Sequence, residues 1–368
     1  MELGLVPPRS GRRYCAFPNL ARPRWVLPAT PPLFRASLDL VVPYSLRGRA
    51  AKRLIAAGIY KGSPLALDED DLTALEDALA RRLERDDVRL AFYTGGRGPY
   101  RKTTALVMTT EGASVAYAKI ALRRAAREAL GREHDTLLRL ARISAFEDRV
   151  PAPIARFDLG ARLVLATTIG PPERGPNRPG GAHEIFLRDL HAAFAESEIL
   201  ENSVAWTRMT ALAARLAPAL GKPWQNRFRR ALNHLHAELG STPVPLALGH
   251  RDFCPWNTRT GPRGLFVFDW ETAAPVLPLH DAFHFEAMQA ALCNRPYRPD
   301  RDFLDHLLNA VWPEGRSKMA LLHLAYLLDT GLYYADLCTR GPYVGQGKAL
   351  DWFGRAIDAW LDGRHAII

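Results

Sequence analysis

The order of apolar and polar residues divides the chain into a strand-rich first part and a helical second part. Three apolar runs separated by turn residues are typical of consecutive antiparallel strands. These runs lie at residues 88–94, 102–110 and 114–122. Apolar side chains at helical spacing predict an amphipathic helix before the runs, over residues 68–84, and another after them, over residues 125–142.

Beyond residue 168 the apolar positions recur mostly every three or four residues, which predicts a helical region. The helices are predicted at about 185–199, 203–218, 225–239, 280–293, 301–312, 316–338 and 346–361. Before residue 61 the pattern predicts only a strand at residues 38–42 and a short helix at residues 49–60. The fold class is therefore α+β, with an N-terminal extension (1–86), an antiparallel-sheet lobe (87–168) and a helical lobe (169–368).

Polar residues with catalytic chemistry follow two apolar runs, at residues 244–248 and 265–268, which together predict a hairpin. Asp252 and Asn257 fit the pattern H-R-D-x-x-x-x-N, and Asp269 ends the second run. A carboxylate can align an attacking hydroxyl, while an amide oxygen and a second carboxylate can hold Mg²⁺. The compound pattern predicts phosphoryl transfer, whereas two ordinary Asx turns would be the bland interpretation.

Residues 244–285 resemble the catalytic core of the aminoglycoside phosphotransferase and choline-kinase-like family, whose fold is that of protein kinases. Residues 279–285 resemble the stretch that follows the metal-binding acid in that family. Arg251 stands where many small-molecule members have Gly, so this loop is closer to the HRD loop of protein kinases. Asp269-Trp270-Glu271 is nevertheless not DFG, and no APE-type segment follows. The resemblance therefore implies a small-molecule kinase with a two-lobe, protein-kinase-like fold.

Lys119 is the candidate phosphate-binding cation. It lies on the third predicted strand in Ala118-Lys119-Ile120, which resembles the AIK strand of kinases. A cation between apolar neighbours is costly unless its charge meets an anion, although a Lys on the solvated face of an edge strand is the alternative. Glu133 falls on the apolar stripe of the next helix and is the predicted partner, with Glu128 as the second candidate. Such a pair would direct the amine toward the α- and β-phosphates.

Two further segments are candidates for nucleotide binding. The turn that contains Gly95, Gly96 and Gly98 could place backbone N–H groups over a polyphosphate, but it does not match GxGxxG and could be an ordinary hairpin turn. Residues 165–170 resemble the segment that connects the two lobes. Backbone groups there, at Thr167 in particular, would hydrogen-bond a purine.

The charge of the chain is concentrated at its N-terminus. The first 61 residues contain eleven Lys and Arg against two acids, whereas the remaining 38 cations and 37 acids nearly balance. An extension with solvated arginines is the simplest interpretation, and contact with an anionic membrane surface is the sharper one. No nucleic-acid-binding motif accompanies the basic segment, so no nucleic acid is expected as a partner. No obligate protein partner is indicated.

The four cysteines are scattered and form no CxxC pair, which indicates a reducing, cytoplasmic environment rather than a disulfide framework or a zinc site. His250 and Cys254 alone would lack a third and fourth zinc ligand. His250 is instead predicted to brace the loop, and Asp281 to anchor its backbone. Glu271 could contact a second metal or a cationic substrate. The apolar stretch at residues 319–328 is interrupted by polar residues and predicts a core helix, not a membrane span.

These patterns and the resemblance together imply Mg²⁺-dependent transfer of the γ-phosphoryl group of ATP (or GTP) to a hydroxyl of a small molecule. Asp252 would be the catalytic base, and Asn257 and Asp269 the metal ligands. Two other classes stay open. One is a nucleotide-binding pseudokinase or scaffold, although the complete Lys, Asp, Asn and Asp set argues against it. The other is a nucleic-acid-binding protein that relies on its basic N-terminus.

Overall fold

The computed structural model describes residues 5–6, 11–43, 46–95, 98, 100–341 and 346–363. These residues form two compact units. The first contains the described residues up to Arg142 together with Pro151–Gly170. The second contains Ile143–Val150 and the described residues from Pro171 onward. The antiparallel sheet of the first unit and the helices of the second confirm the predicted α+β fold class.

One antiparallel sheet dominates the first unit. Among the described residues it has nine strands in the order β1-β4-β2-β3-β5-β6-β7-β9-β8. The strands are β1 (Leu5–Val6), β2 (Arg12–Phe17), β3 (Trp25–Pro28), β4 (Ser63–Leu67), β5 (Val88–Tyr93), β6 (Thr103–Thr109), β7 (Ser114–Ala121), β8 (Pro153–Leu159) and β9 (Arg162–Thr167). The predicted three-strand meander is confirmed, since β5 pairs with β6 and β6 pairs with β7.

Helices cover both faces of this sheet. Successive side chains of a strand point to opposite faces, so both faces carry apolar residues that need to be covered. The helices of the first unit are α1 (Pro31–Ser37), α2 (Leu46–Ala56), α3 (Glu69–Leu83) and α4 (Arg124–Leu140). Leu72, Leu75 and Leu79 of α3 pack in one core with Leu90 and Phe92 of β5. The helix α3 begins where the side chain of Asp68 accepts a hydrogen bond from the backbone N–H of Asp71.

The N-terminal segment is part of this sheet. Strands β2, β3 and β4 come from residues before 68 and extend the sheet beyond β5. The strand predicted at residues 38–42 is wrong, because Leu38–Leu40 form a 3-10 turn. A helical turn brings Leu38 and Val41 to one side, and both are buried in the core behind α1.

The second unit is mainly helical, as predicted. In its described residues the helices are α5 (Gly181–Phe194), α6 (Val204–Leu216), α7 (Lys222–Leu239), α8 (His280–Leu292), α9 (Arg301–Val311), α10 (Met319–Thr339) and α11 (Gln346–Leu361). The predicted extension of the first helix to residue 199 is wrong. Glu196–Ile199 instead form strand β10, which pairs with β11 (Pro243–Gly249), so tertiary pairing decides the conformation of this segment.

Two small sheets support the loop that carries the candidate catalytic residues. Strand β11 lies between β10 and β14 (Ala274–Val276), while β12 (Thr258–Gly261) and β13 (Gly264–Val267) form a separate hairpin. The predicted hairpin between the runs at 244–248 and 265–268 is therefore wrong, since β13 pairs with the short strand that follows Asn257. None of the helices in the described ranges combines the length and apolarity that a membrane crossing requires.

Candidate active site

The β12–β13 hairpin brings Asn257 and Asp269 to the same end of two paired strands. Thr258 pairs with Val267 in the hairpin, and the backbone N–H of Phe268 donates to the carbonyl oxygen of Asn257 over 3.1 Å. The residue before Asp269 is thus tied to Asn257 itself. Asp269 then turns the chain with a left-handed backbone, φ 73° and ψ 56°, and the 3-10 turn Trp270–Thr272 follows.

Asp252 and Asn257 are joined across the loop between β11 and β12. The amide Nδ2 of Asn257 donates to a carboxylate oxygen and to the backbone carbonyl oxygen of Asp252, both at 2.8 Å. These bonds fix the rotation of the Asn257 side chain, and they use its nitrogen rather than its oxygen. Asn257 is buried, whereas 37% of the Asp252 side chain is exposed. The carboxylate that the sequence predicts as base is therefore both oriented and accessible.

His250 braces the loop, as predicted. Its Nε2 donates to the carbonyl oxygen of Phe268 over 2.9 Å, and its Nδ1 accepts from the backbone N–H of Asp252 over 3.2 Å. A backbone carbonyl can only accept and a backbone N–H can only donate, so these bonds select the tautomer protonated on Nε2. The ring is fully buried and packs against the indole of Trp270 at an interplanar angle of 60°. One imidazole thus links the segment of Asp252 to the segment of Asp269.

Asp281, at the start of α8, holds the backbone of the same loop, which confirms the anchoring predicted for it. Its carboxylate accepts from the backbone N–H groups of His250, at 2.6 Å, and of Arg251, at 2.9 Å. Burial by itself would raise the pKa of Asp281. Hydrogen bonding to His280 and the charge of that ring, together with the backbone N–H of His250, lower this pKa to about 2.

A buried carboxylate on α10 holds the same loop through Arg251. Asp329 is 3% exposed, and both of its oxygens accept from the guanidinium groups of Arg251 and Arg208. The His280 Nε2 lies 3.2 Å from the same carboxylate. Burial opposes ionisation, but the two arginines and His280 hold the pKa of Asp329 well below its usual range. The loop motif does not predict this partner. The signal in the sequence is a charged residue in the apolar run of α10, which must be paired if buried.

Cys254 and His284 lie beside the candidate base. The Cys254 Sγ is 3.7 Å from Oδ1 of Asp252, and the His284 Nε2 is 3.5 Å from that same oxygen. Burial, followed by the charge of Asp252, raises the pKa of the Cys254 thiol well above its usual value. Burial also lowers the pKa of His284, against the opposing effect of Asp252. The sequence motifs do not single out His284, because its ring sits in an otherwise apolar helix face.

In the first unit, Lys119 and Glu133 form the predicted ion pair. Lys119 extends from β7 between the buried side chains of Ala118 and Ile120, and its amine donates to a carboxylate oxygen of Glu133 on α4. Glu133 is 1% exposed and follows Leu130 on the buried stripe of that helix. Glu128, the second candidate, pairs with Arg124 at the surface instead.

The glycine turn and the end of β9 are the other predicted nucleotide contacts. Gly96 lies outside the described residues, while Gly95 and Gly98 are described. Gly95 has φ 65°, and a Cβ there would approach the carbonyl oxygen of Lys102 to 2.7 Å, so only glycine fits. Thr167 is the buried last residue of β9, and the first unit ends three residues later, at Gly170.

Comparison with solved structures places the fold among small-molecule kinases. A thermostable mutant of aminoglycoside phosphotransferase APH(4)-Ia has a TM-score of 0.52 and 13% identity, and the match covers 79% of this chain and 99% of that one. The same protein has been crystallised in a ternary complex with ADP and hygromycin B, which matches with a TM-score of 0.52. Choline kinase from Cryptosporidium parvum Iowa II has a TM-score of 0.51 and 11% identity, with 79% and 97% of the two chains covered.

Comparison at the level of sequence gives the family. No curated protein matches the chain. Residues 97–322 match the family model described as "Phosphotransferase enzyme family", and this range contains Lys119, Asp252 and Asp269. Because the match spans well over half of the 368 residues, the chain belongs to this phosphotransferase enzyme family.

Proposed function

We propose that this protein is a Mg²⁺-dependent kinase that transfers the γ-phosphoryl group of ATP (or GTP) to a hydroxyl of a small molecule. The observation that carries the proposal is the hydrogen-bonded link from Asp252 through Asn257 to Phe268, the residue before Asp269. The side-chain nitrogen of Asn257 donates to the Asp252 carboxylate, and its backbone carbonyl oxygen accepts from the backbone N–H of Phe268. The backbone that carries Asp269 is thus held next to Asn257 and the candidate base before any substrate arrives.

Asp252 aligns the acceptor hydroxyl and accepts its proton. The transition state of phosphoryl transfer is loose, so positioning contributes more than an early proton abstraction. Oδ2 of Asp252 accepts a hydrogen bond from Asn257, so the carboxylate cannot rotate freely. The backbone N–H of Asp252 donates to His250, which holds the main chain at this residue. The exposed part of the side chain is where an alcohol can approach.

Asn257 and Asp269 provide the donor set that Mg²⁺ prefers. Both offer hard oxygen ligands, an amide oxygen and a carboxylate, and neither offers sulfur or imidazole. The Asn257 nitrogen is engaged with Asp252, which leaves its oxygen to face a cation. When bound, Mg²⁺ neutralises charge on the phosphate oxygens. The left-handed backbone of Asp269 is a strained conformation of the kind found where a side chain must be aimed.

Lys119 binds α- and β-phosphate oxygens, and Glu133 holds its amine in place. Supporting this role, the Lys119 side chain is 13% exposed and the Glu133 side chain is 2% exposed, so the surrounding core restricts the pair. Backbone groups of the glycine turn (Gly95, Gly96 and Gly98) contact the phosphates. Thr167, at the end of β9, contributes to purine binding.

The acceptor is a small alcohol. The family match supports phosphoryl transfer, and the structures of similar fold include an aminoglycoside phosphotransferase with hygromycin B and a choline kinase. A nucleotide-binding scaffold without turnover is the second candidate. The braced carboxylate of Asp252 favours turnover, because a scaffold needs no base.

Two substitutions test the proposal. Asp252→Ala should abolish turnover yet retain nucleotide binding, whereas Asp269→Ala should lose the Mg²⁺-dependent part of nucleotide binding. Acceptors are first identified by thermal shift, with aminoglycosides, amino alcohols and sugars added to protein, Mg²⁺ and a non-hydrolysable nucleotide. Turnover is then followed as ADP release, with Asp305→Ala on the exposed side of α9 as control. Wild-type turnover in both site variants would refute the assignment, and failure of wild type to release ADP with any acceptor or with water would favour the scaffold.

Contact with an anionic membrane is proposed for α2. The sequence from residue 40 to residue 67 contains five Lys and Arg and no acid. Helix α2 carries four of these cations, and Leu46 at its start and Ile59 just beyond its end are 79% and 71% exposed. Basic and exposed apolar side chains on one short helix are the combination that binds anionic bilayer surfaces.

A further inference from the structure

Two side chains with different metal-binding atoms converge on one carboxylate oxygen of the candidate base, Asp252. Asp252, Cys254 and His284 each offer one ligand atom, and the three atoms all lie within 4.8 Å of one another. Sγ of Cys254 and Nε2 of His284 lie 3.7 Å and 3.5 Å from Oδ1 of Asp252. Cys254 and His284 are buried, and Asp252 is the member of the group that reaches solvent.

The Nε2 atom of His284 points into this group without a hydrogen bond. The ring is 2% exposed, and its Nε2 has no hydrogen-bond partner among the described residues. The distance of 3.5 Å to Asp252 is too long for a good hydrogen bond. The other nitrogen, Nδ1, lies 3.4 Å from the hydroxyl of Tyr326, which sets the direction of the ring. A buried nitrogen that is fixed in direction but unsatisfied is suited to a ligand that reaches it from the side of Asp252.

The two separations from Oδ1 of Asp252 fit a tetrahedral ion. Bond lengths of about 2.3 Å to sulfur and about 2.0–2.2 Å to nitrogen and oxygen place neighbouring ligand atoms about 3.3–3.7 Å apart in a tetrahedron. The separations of 3.7 Å and 3.5 Å fall in that range. A set of one thiolate, one imidazole and one carboxylate selects Zn²⁺ over Mg²⁺, since Mg²⁺ prefers oxygen alone.

We propose that Asp252, Cys254 and His284 form a zinc site with a fourth, solvent-facing position, and that zinc bound there inhibits the kinase. Binding forms a Zn–S bond and breaks the S–H bond of Cys254, and the proton leaves to water. Zn–N and Zn–O bonds form with His284 and Asp252 without further loss of protons from the neutral imidazole or the carboxylate. No electron is transferred.

The inhibitory effect rests on the proposed function, whereas zinc binding does not. A zinc ion on Oδ1 of Asp252 would withdraw the carboxylate from the acceptor hydroxyl. The site is also chemically separate from Asn257 and Asp269, which offer only oxygen. A metal that prefers sulfur and a metal that prefers oxygen would therefore occupy neighbouring positions with opposite effects on turnover.

Cobalt reports directly on the sulfur ligand. Chelator-treated full-length protein, kept reduced with a phosphine, is titrated with Co²⁺, and the thiolate-to-cobalt absorption in the near ultraviolet is recorded. One equivalent should produce the band in wild type and in Cys293→Ser, which removes an exposed thiol elsewhere. The band should be absent in Cys254→Ser, and Zn²⁺ should remove it in wild type. A wild type without the band, or a band that survives in Cys254→Ser, would overturn the proposal.

His284→Gln provides a second variant in case the buried Cys254→Ser does not fold. Zinc affinity, measured by competition with a chromophoric chelator, should fall at least about 100-fold in His284→Gln, more than the loss of a supporting hydrogen bond would cost. An unchanged affinity would refute the site. In turnover assays one equivalent of Zn²⁺ should slow wild type about 100-fold, the contribution of a general base, and slow Cys254→Ser far less. Cobalt binding in a protein that shows no turnover would uphold the zinc site and refute the kinase function.

Discussion

Asp329 accepts a hydrogen bond from Arg251 at each of its two carboxylate oxygens, both 3.1 Å long. The bidentate pair joins the middle of α10 to the loop that carries Asp252. Arg251 has a left-handed backbone, φ 63°, which costs a non-glycine residue about 1–2 kcal/mol. Two strong contacts hold it there, the side-chain pair with Asp329 and the backbone bond to Asp281. The loop conformation is therefore stabilised from two helices at once.

Asp329→Ala should destabilise the protein strongly. The substitution leaves the guanidinium groups of Arg208 and Arg251 next to each other without the carboxylate that they share. Removal of one partner from a buried ion pair costs about 3–5 kcal/mol. Urea unfolding followed by circular dichroism should show this loss in the free energy of unfolding.

A surface pair provides the control for this loss. Asp362 forms an ion pair with Arg230, and both side chains are more than 40% exposed. Asp362→Ala should change the free energy of unfolding by no more than about 1 kcal/mol. Equal effects of the two substitutions would show that the burial of Asp329 does not matter.

The Asp281 carboxylate should make stability depend on acid pH. Its pKa is about 2 in the folded protein against an ordinary value of 3.8, so the folded state binds this proton less readily. The resulting stabilisation, on the order of 2 kcal/mol, is present above pH 3.8 and is lost as the pH falls through about 2. Asp281→Asn should remove it, so the free energy of unfolding should fall at neutral pH and vary less between these two values.

Denaturant unfolding across that pH range measures the effect. Asp305→Asn, which removes an exposed carboxylate from α9, is the matched control for a change in charge. If Asp281→Asn retained the wild-type slope of stability against pH, the low pKa of Asp281 would not be the source of the acid dependence.

Loss of the Lys119–Glu133 pair should impair nucleotide use in addition to its effect on folding. Lys119→Met keeps an apolar stem of similar length and removes the charge, so kcat/KM should fall about 100-fold, as for loss of one preorganised donor to a phosphate. Glu133→Gln keeps the shape of the carboxylate but weakens the hold on the amine, and its loss should be smaller. Steady-state kinetics with varied nucleotide measure both effects.

Glu128→Gln is the control on the same helix. Glu128 is more than half exposed and pairs with Arg124, so its substitution should leave kcat/KM unchanged. A Glu128 effect as large as that of Glu133 would point to α4 as a whole rather than to the ion pair.

The sequence predicted these two residues because local spacing determines their positions. Lys119 alternates with apolar neighbours on a strand, and Glu133 lies on the apolar stripe of the following helix, so their contact follows from period-two and period-3.6 patterns. Asp252, Asn257 and Asp269 were likewise predicted from spacing. The pairing of β13 with β12 was not predicted, because β12 is only four residues long and has no apolar run to mark it.

Contacts that depend on tertiary structure escaped prediction. Asp329 lies 78 positions from Arg251, and nothing between them fixes that distance in space. The left-handed backbone of Arg251 is a conformation that favours glycine, but the sequence shows only the arginine. The position of His284 beside Asp252 also escaped prediction, because it depends on which loop packs against α8. The strand predicted at residues 38–42 failed because an apolar run of that length fits a buried turn equally well.

The basic helix α2 should bind anionic vesicles. Arg47, Arg49 and Arg53 lie on this exposed helix, and each cation near an anionic bilayer contributes about 1 kcal/mol, so the triple substitution to Glu should weaken binding at least about 100-fold.

Deletion of the N-terminus is a poorer test, since it would remove β2 and β3 from the sheet. Lys222→Glu/Arg229→Glu/Arg230→Glu on α7 makes the same change of charge elsewhere. Wild type and the α7 variant should sediment with phosphatidylserine-containing vesicles, whereas the α2 variant should not. The binding of wild type should weaken with salt. Equal binding to uncharged vesicles would contradict membrane docking, and so would salt-sensitive binding to RNA with none to vesicles.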